Sequence, residues 1–268
     1  MLDVIAVLIK KKLATMVSYK LAMVLELAGL AVTILQYTLM GHYLDQGFTP
    51  KLLYNHADSL LSFLLSGIIY MNFCTLTVQS IQQGLANEIG CGTLEAIAAS
   101  QTPLLLVTTV GALYDVGSFL VISVVSAGTV LAILHVGLSV EPISLVLVVV
   151  SSAAGFIGLG LMAAGILLYT KRGDIVSWGF AVTSALLGGV FFPVEALPAG
   201  LGGIARHLPV TIGLQALREA LFRGRGPQAM AGELIYLGIF ALTVIPLGFA
   251  TFLIGCRWSR AHGNLGHY

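Results

Sequence analysis

Charged residues are scarce in this chain of 268 residues. Asp, Glu, Lys and Arg make up only 9% of it, whereas a soluble domain carries about 25%. Hydrophobic residues make up 57%, and the mean hydropathy is +0.97. So few ionisable side chains cannot cover the surface of a globule in water. The composition excludes a water-soluble monomer and indicates that the chain lies in a lipid bilayer.

An excess of charge of one sign is also lacking. The net charge is +1, from 13 basic and 12 acidic residues. No long-range basic field therefore attracts nucleic acid, and we expect no nucleic-acid partner. A cleavable signal peptide is not indicated either, because Lys10, Lys11 and Lys12 follow the first apolar residues instead of preceding them.

Metal-ligand and catalytic patterns are missing as well. The three cysteines, Cys74, Cys91 and Cys256, share no metal-ligand spacing and are interpreted as free thiols. The six histidines have no acidic partner at a ligand spacing, so we expect no metal site. Ionisable groups are spread along the chain without a catalytic cluster, which argues against an enzyme embedded in the membrane.

Long apolar stretches dominate what is present. A membrane-spanning helix needs about 20 mostly apolar residues, and six stretches qualify: 21–41, 59–81, 104–135, 143–169, 175–192 and 233–256. The predicted fold class is an all-α integral membrane protein. With the N-terminus inside, eight of the 13 Lys and Arg residues fall on the inner side. This excess predicts that both termini are cytoplasmic.

Residues 1–18 precede the first span and are amphipathic. Leu2, Ile5, Leu8 and Ile9 recur at helical spacing beside three lysines. This pattern predicts a helix that lies in the inner membrane interface. Alternatively, these residues extend the first span.

Residues 82–103 form the most polar inner loop. Gly90 and Gly92 flank Cys91 and should end one helix, after which Thr93 can begin a short second helix that stops before Pro103. We expect a short cytoplasmic helix at about 93–100. On composition alone, an ordinary connector is the alternative.

Prolines interrupt the outer segment, residues 193–230. Pro193, Pro198 and Pro209 break a hydrophobic run, and broken helices at membrane depth need protein or water to satisfy their backbone. We therefore expect short re-entrant helices that dip into the outer leaflet. The last, at about 211–223, carries Glu219 and Arg223 at the i,i+4 spacing of an ion pair.

Three carboxylates fall in or at the ends of predicted spans, where ionised groups are costly. Glu26 is interpreted as structural, and Glu233 should meet the outer headgroups and pair with a local arginine. Asp115, with Tyr114 and Ser118 as possible neighbours, either contacts substrate or a second subunit or is structural.

One face of the second span carries Tyr70, Phe73 and Thr77. This face could line a path for an amphiphile, although an aromatic packing stripe is the alternative. Small residues cluster in the fourth and fifth spans and indicate close helix packing. In the fourth span they are Gly155, Gly158, Gly160, Ala163, Ala164 and Gly165, and in the fifth Gly179, Ala181, Ala185, Gly188 and Gly189.

Two motifs carry a family resemblance. After the second span come Glu88 and Gly92-Thr93-Leu94-Glu95. The outer segment is introduced by Phe191-Phe192-Pro193 and contains Leu197-Pro198, Leu208-Pro209 and Ala216-Leu217-Arg218. Together they resemble the membrane subunit of a bacterial ABC-2 type transporter. The residues of the motifs are closer to those of the drug and lipo-oligosaccharide exporter branch. The resemblance extends over the whole chain.

The resemblance implies one ABC-2 type transmembrane domain over residues 1–268. Such a domain is the permease of an exporter in the cytoplasmic (inner) membrane of a bacterium or archaeon, and it would move an amphiphilic or lipid-linked molecule outward. Its partners would be two copies of a cytoplasmic ATPase, a second copy of itself or a related permease, and membrane lipid. No lysine follows a glycine in this chain, so it has no phosphate loop. ATP and Mg²⁺ would bind to the ATPase, and no cofactor is expected here.

The resemblance also assigns roles to residues. The ATPase-coupling residues would be Glu88, Gly92, Thr93, Leu94 and Glu95, with the short helix at about 93–100 seated in the ATPase. The outer gate would include Phe191, Phe192, Pro193, Pro198, Pro209 and Arg218. Spans two and five would flank the substrate path, for which Tyr70, Phe73, Thr77 and Asp115 are the candidates.

A proton-coupled secondary transporter using Asp115 or Glu26 is the alternative function. Such transporters often contain inverted repeats of three spans. The loop after span two and the segment after span five have no counterparts three spans away, which disfavours this alternative. A non-transporting membrane anchor for an ATPase stays open, and no residue selects among drug, lipid, lipo-oligosaccharide and peptide substrates.

Overall fold

The computed structural model describes residues 60–90, 92, 104–133, 139–170 and 175–261, together with isolated positions among the first 40 residues. The predicted interfacial helix, the first span and the short helix at about 93–100 therefore lie outside the described residues, apart from those isolated positions. Glu26, Thr93, Leu94 and Glu95 lie outside them too.

Every regular element in these ranges is helical. The α-helices, numbered along the described residues, are α1 (Leu60–Gly90), α2 (Leu104–Ile133), α3 (Pro142–Thr170), α4 (Ile175–Leu187), α5 (Ala199–Ala205), α6 (Pro209–Phe222) and α7 (Ala231–Ala261). Two 3-10 helices, Val194–Ala196 and Pro227–Met230, lie between them.

Four stretches of these helices are long and apolar enough to cross a membrane. They are Ser62–Gly90, Leu104–Val125, Pro142–Thr170 and Pro227–Ser259. They confirm the predicted spans two, three, four and six as membrane-crossing candidates. Helix α4 has only 13 residues, so it is about 20 Å long, shorter than a hydrocarbon core of about 30 Å. The total of six spans stays a prediction.

Helix α1 is longer than the predicted span. It continues beyond position 81 because residues 82–90 contain helix-forming Gln, Leu, Ala and Glu side chains. It ends at Gly90, where the glycines flanking Cys91 predicted a helix end. Beyond its end, Gly92 has a φ of 67° and its amide donates to the carbonyl of Ile89 over 3.0 Å. A glycine in this left-handed conformation is a common way to stop a helix.

Helix α4 ends earlier than the predicted position 192. The chain bends at Gly188, Gly189 and Val190, and Gly189 has a φ of 69°, which L side chains rarely adopt. This bend turns the chain away from the helix axis and leads into the outer segment.

Helix α3 lies at the centre of the packing and contacts α1, α4, α6 and α7. Its closest neighbour is α7, which runs parallel to it. Backbone meets backbone where Gly158 faces Gly248 and, seven residues further along both helices, where Gly165 faces Gly255. Glycine at these positions lets the two axes approach closely.

The core of the described region is formed mainly by α1, α3, α6 and α7. Tyr70, Phe156, Leu214, Met230 and Leu237 are fully buried there. Helix α2 packs on α1 and exposes Val121, Val124 and other apolar side chains. Exposed apolar surface on a long apolar helix is what a lipid environment requires.

Candidate functional site

The outer segment is a chain of short helices whose starts are set by proline. Pro193 and Pro198 precede the 3-10 helix and α5, and Pro209 is the first residue of α6. Proline suits these positions because a first-turn amide has no partner within the helix. The helix predicted at about 211–223 is present as Pro209–Phe222. Whether the segment re-enters the membrane stays a prediction.

The residues of the predicted outer gate differ in their burial. The side chain of Phe191 is 49% exposed, and Pro198 is exposed as well. Phe192, Pro193 and Pro209 are partly buried. Arg218 differs from all of them, since it is 4% exposed and lies inside the helix packing.

Arg218 on α6 connects three separate segments. Its Nε donates to Ser66 Oγ over 3.2 Å, and one terminal nitrogen donates to the carbonyl of Phe63 over 2.9 Å. The other terminal nitrogen donates to the carbonyl of Gly189 over 3.1 Å. Ser66 Oγ also donates to the Phe63 carbonyl over 3.0 Å. The guanidinium thus joins α6, the first turns of α1 and the bend after α4.

The surroundings of Arg218 are mostly neutral. The guanidinium carbon lies 3.7 Å from the centre of the Phe63 ring, a cation–π distance. Burial lowers the pKa of Arg218 to about 9, and the Glu195 carboxylate opposes this shift. The side chain therefore stays charged at pH 7. A small cleft beside it, lined by Gly188, Pro193, Thr211 and Gln215 among others, has room for about one water molecule.

Gly67 permits this arrangement. A Cβ atom at this position would lie 2.6 Å from the carbonyl oxygen of Val190 and 3.0 Å from a terminal nitrogen of Arg218. Any side chain at Gly67 would push α1 away from the bend. The network around Arg218, comprising Phe63, Ser66, Gly67, Gly189 and Arg218, is called the Arg218 clasp below.

A second polar contact joins α1 and α4 at their other ends. Ser177 Oγ donates to Gln82 Oε1, and both side chains are buried. Buried neutral side chains in an apolar region are stable when they satisfy each other in this way. This pair is called the Gln82–Ser177 contact below.

The candidate path residues on α1 lie in the core of the chain. Tyr70, Phe73 and Thr77 are all buried. The Tyr70 hydroxyl and Ser152 Oγ on α3 are 2.7 Å apart, and Thr77 Oγ1 donates to the carbonyl of Phe73. These contacts give Tyr70 and Thr77 a packing role, while substrate contact at this face stays a prediction.

Asp115 is partly buried on α2. The Ser118 hydroxyl donates to the backbone carbonyl of Asp115 over 2.9 Å. A role of Asp115 in substrate contact stays a prediction.

The predicted ATPase-coupling residues are described only in part. Glu88 is partly buried in the last turn of α1, and Gly92 follows the helix end. Because Thr93, Leu94 and Glu95 lie outside the described residues, the ATPase-coupling role of the set stays a prediction.

An ion pair forms beside α6, but with a different arginine from the predicted one. The Glu219 carboxylate contacts Arg225 over 2.8 Å. The sequence predicted Arg223, which was expected in the last turn of the helix but is its C-cap, whereas Arg225 lies two residues further on and folds back. In the part of the chain that the structure describes, no group of three or more His, Cys, Asp and Glu side chains could hold a metal ion.

Sequence reasoning missed most residues of the Arg218 clasp and of the Gln82–Ser177 contact. Ser66, Gly67 and Ser177 carried no assignment, and Gln82 was placed in a loop. The available signal was weak: Ser66, Gly67 and Ser177 are small residues inside apolar runs, and Gln82 begins the polar stretch 82–103. Such residues often pack between helices, but spacing along one helix does not identify the partner on another.

A comparison with known protein families finds a match that covers most of the chain. Residues 5–250 match the family described as ABC-2 family transporter protein. None of the curated proteins matches the chain.

Proposed function

Because the chain belongs to the ABC-2 family of transporter membrane proteins, we propose that it exports an amphiphilic or lipid-linked molecule outward across a cytoplasmic membrane. Members of this family are the membrane subunits of ABC transporters and have no ATPase domain of their own. The family match over residues 5–250 is the observation that carries the proposal. The four long apolar stretches support it.

Energy for transport comes from a separate ATPase subunit. The sequence contains no glycine followed by lysine, which a phosphate loop requires. In the proposed assembly, two ATPase copies bind ATP and Mg²⁺, and two permease chains form the membrane part. The second permease is a copy of this chain or a related one.

Helix α1 is suited to carry motion from the ATPase into the membrane. Its 31 residues span about 46 Å, more than the hydrocarbon thickness of about 30 Å. The polar part, residues 82–90, extends toward the proposed coupling helix at about 93–100. Glu88, Gly92, Thr93, Leu94 and Glu95 would lie where α1 meets the ATPase.

The opposite end of α1 adjoins the outer segment. The Arg218 clasp holds α6 and the bend at 188–190 on the first turns of α1. In the proposed transporter this end faces outward and Arg218, Phe191, Phe192 and the three prolines belong to the exit. The substrate path follows spans two and five.

Co-purification tests this function. The tagged chain is expressed in its native host, purified in mild detergent and compared with the Glu95→Arg and Leu94→Asp variants. We expect an ATPase to co-purify with the unmodified chain and ATP hydrolysis to be measurable. Both variants should lose the ATPase, since they alter the proposed contact surface.

The matched control is Arg206→Glu, an exposed charge reversal in the outer segment, which should retain the ATPase. If no ATPase accompanies the unmodified chain, the proposed transport function is wrong. If the ATPase binds equally to all variants, the assignment of Leu94 and Glu95 to coupling is wrong.

A further inference from the structure

Helices α1 and α4 are joined by polar contacts at both ends. They run in opposite directions, so Phe63 and Ser66 at the start of α1 lie near Gly189 beyond the end of α4. Gln82, towards the end of α1, meets Ser177 at the start of α4. Between Ser66 and Gln82, α1 rises about 24 Å. The two contacts therefore lie at nearly opposite faces of a membrane.

The two contacts differ in chemistry. The Arg218 clasp uses a charged donor with three acceptors and an aromatic face. The Gln82–Ser177 contact is one hydrogen bond between neutral side chains. Charge-assisted hydrogen bonds are stronger than neutral ones. Opening the end that carries Arg218 therefore breaks more hydrogen bonds than opening the other end.

We propose that Arg218 is a positioning residue that holds the start of α1 against the bend after α4, at the outer end of the seam between α1 and α4, until export opens this contact. The proposal rests on the transport function proposed above and names the contact that must break during export. The Gln82–Ser177 contact closes the inner end independently.

Separation of α1 from the bend at 188–190 must take Arg218 away from the carbonyl oxygen on at least one side. The same guanidinium donates to Phe63 on one element and to Gly189 on the other. When the elements part, water must take over at least one of these acceptors, since a buried unpaired carbonyl is costly. The cleft lined by Gly188, Pro193 and Thr211 already lies beside the guanidinium.

A thiol at Ser184 reports whether the end of α4 next to the bend becomes accessible. Ser184 is buried on α4, one turn before the bend. We use Ser184→Cys in a chain with Cys74→Ala, Cys91→Ala and Cys256→Ala, assembled with its ATPase in intact cells. The rate of labelling by a membrane-impermeant maleimide is measured. In this parent chain we expect slow labelling.

Arg218→Met removes the donors at similar side-chain length, and we expect the labelling rate to rise at least tenfold. Arg218→Lys keeps the charge with fewer donors and should give an intermediate rate. Gly67→Ala leaves Arg218 in place but separates α1 from Val190. It should raise the rate as well, which provides a second variant if Arg218→Met folds poorly.

Two variants serve as controls. Arg206→Met removes an exposed arginine of the same outer segment, and Gln82→Leu breaks the contact at the other end of the seam. Both should label at the parent rate. Faster labelling in Gln82→Leu would overturn the proposal that the two ends are closed independently.

Trapping the ATPase with vanadate provides the functional readout. The parent rate should rise on trapping, whereas the Arg218→Met rate should already be high and change little. Parent-like rates in both Arg218→Met and Gly67→Ala, with the ATPase still bound, would overturn the role of Arg218. Absence of the ATPase from the parent complex would instead overturn the transport function.

Discussion

At the scale of single residues, the energetics of Arg218 depend on its partners. Burying an unpaired charge costs several kcal/mol, while each hydrogen bond to a charged group contributes about 1.5–3 kcal/mol. Arg218 makes three such bonds and a cation–π contact. The gains and the cost are therefore similar in size. A contact so balanced can break and re-form during a transport cycle.

Tyr70 and Gly213 provide a residue-scale prediction about the core. A Cβ atom on Gly213 would collide with the Tyr70 hydroxyl, which is paired with Ser152. We expect Gly213→Ala to lower the free energy of unfolding by about 1–3 kcal/mol, the usual effect of overpacking. Tyr70→Phe alone should cost about 0.5–1.5 kcal/mol, for the lost hydrogen bond.

The double variant separates the collision from other effects. Combining Gly213→Ala with Tyr70→Phe removes the colliding oxygen, so the two losses should not add. Unfolding in mixed detergent micelles, followed by circular dichroism, measures all three. Gly238→Ala is the matched control, because nothing lies within 4 Å of its added Cβ. Strict additivity of the two losses would contradict the packing seen here.

At the scale of elements, α3 and α7 behave as one packed pair. Gly165 would place a Cβ 2.6 Å from the backbone of Thr251, and Gly255 would place one 2.5 Å from the carbonyl oxygen of Gly165. The obstructing atoms are backbone, which cannot rotate away as a flexible side chain can. The spacing between the helices is therefore set by glycine.

Larger residues at the contact between α3 and α7 should force these two helices apart. We expect Gly165→Leu and Gly255→Leu each to lower the free energy of unfolding by at least about 3 kcal/mol, the upper part of the overpacking range. Gly238→Leu, on an open face of α7, should change it little. The same micelle titration is the measurement. Equal losses of unfolding free energy for Gly238→Leu and Gly255→Leu would contradict this account. They would show that the conformational freedom of glycine, and not the close approach of the helices, determines the loss.

Much of the element structure could be predicted from the sequence. The length of the apolar runs identified the four candidate membrane helices, which lie at 62–90, 104–125, 142–170 and 227–259. A helix that spans a bilayer needs a continuous apolar run of this kind. The small residues of α3 indicated close packing, but not that α7 was the partner at Gly158 and Gly165. The end of α4 was predicted five residues too late. In the sequence, nothing distinguishes Gly189, which adopts the left-handed conformation, from the other glycines of this apolar run.

The candidate site was less predictable. Ala216-Leu217-Arg218 was identified through family resemblance, yet the burial of Arg218 follows from contacts with residues more than 150 positions away in the chain. The ion pair of Glu219 shows the same limit. Helical spacing favoured Arg223, while the fold brings Arg225 back to Glu219. Tertiary contacts of this kind have no periodic signature.

At the scale of the whole molecule, the distribution of basic residues predicts the orientation in the membrane. The excess of Lys and Arg in the inner loops predicts cytoplasmic termini. It follows that the chain after α1 is cytoplasmic and that the outer segment faces outside. Asn87 and Arg206 are both exposed and lie on opposite sides in this arrangement.

Single thiols at these two positions decide the orientation. In a background with the native cysteines replaced by alanine, an impermeant maleimide added to intact cells should label Arg206→Cys at least tenfold faster than Asn87→Cys. Permeabilised cells should label both, which controls for expression and reactivity. The reversed pattern would place the Arg218 clasp at the cytoplasmic face. It would then be a contact at the entrance, and the direction proposed for transport would have to be reversed with it.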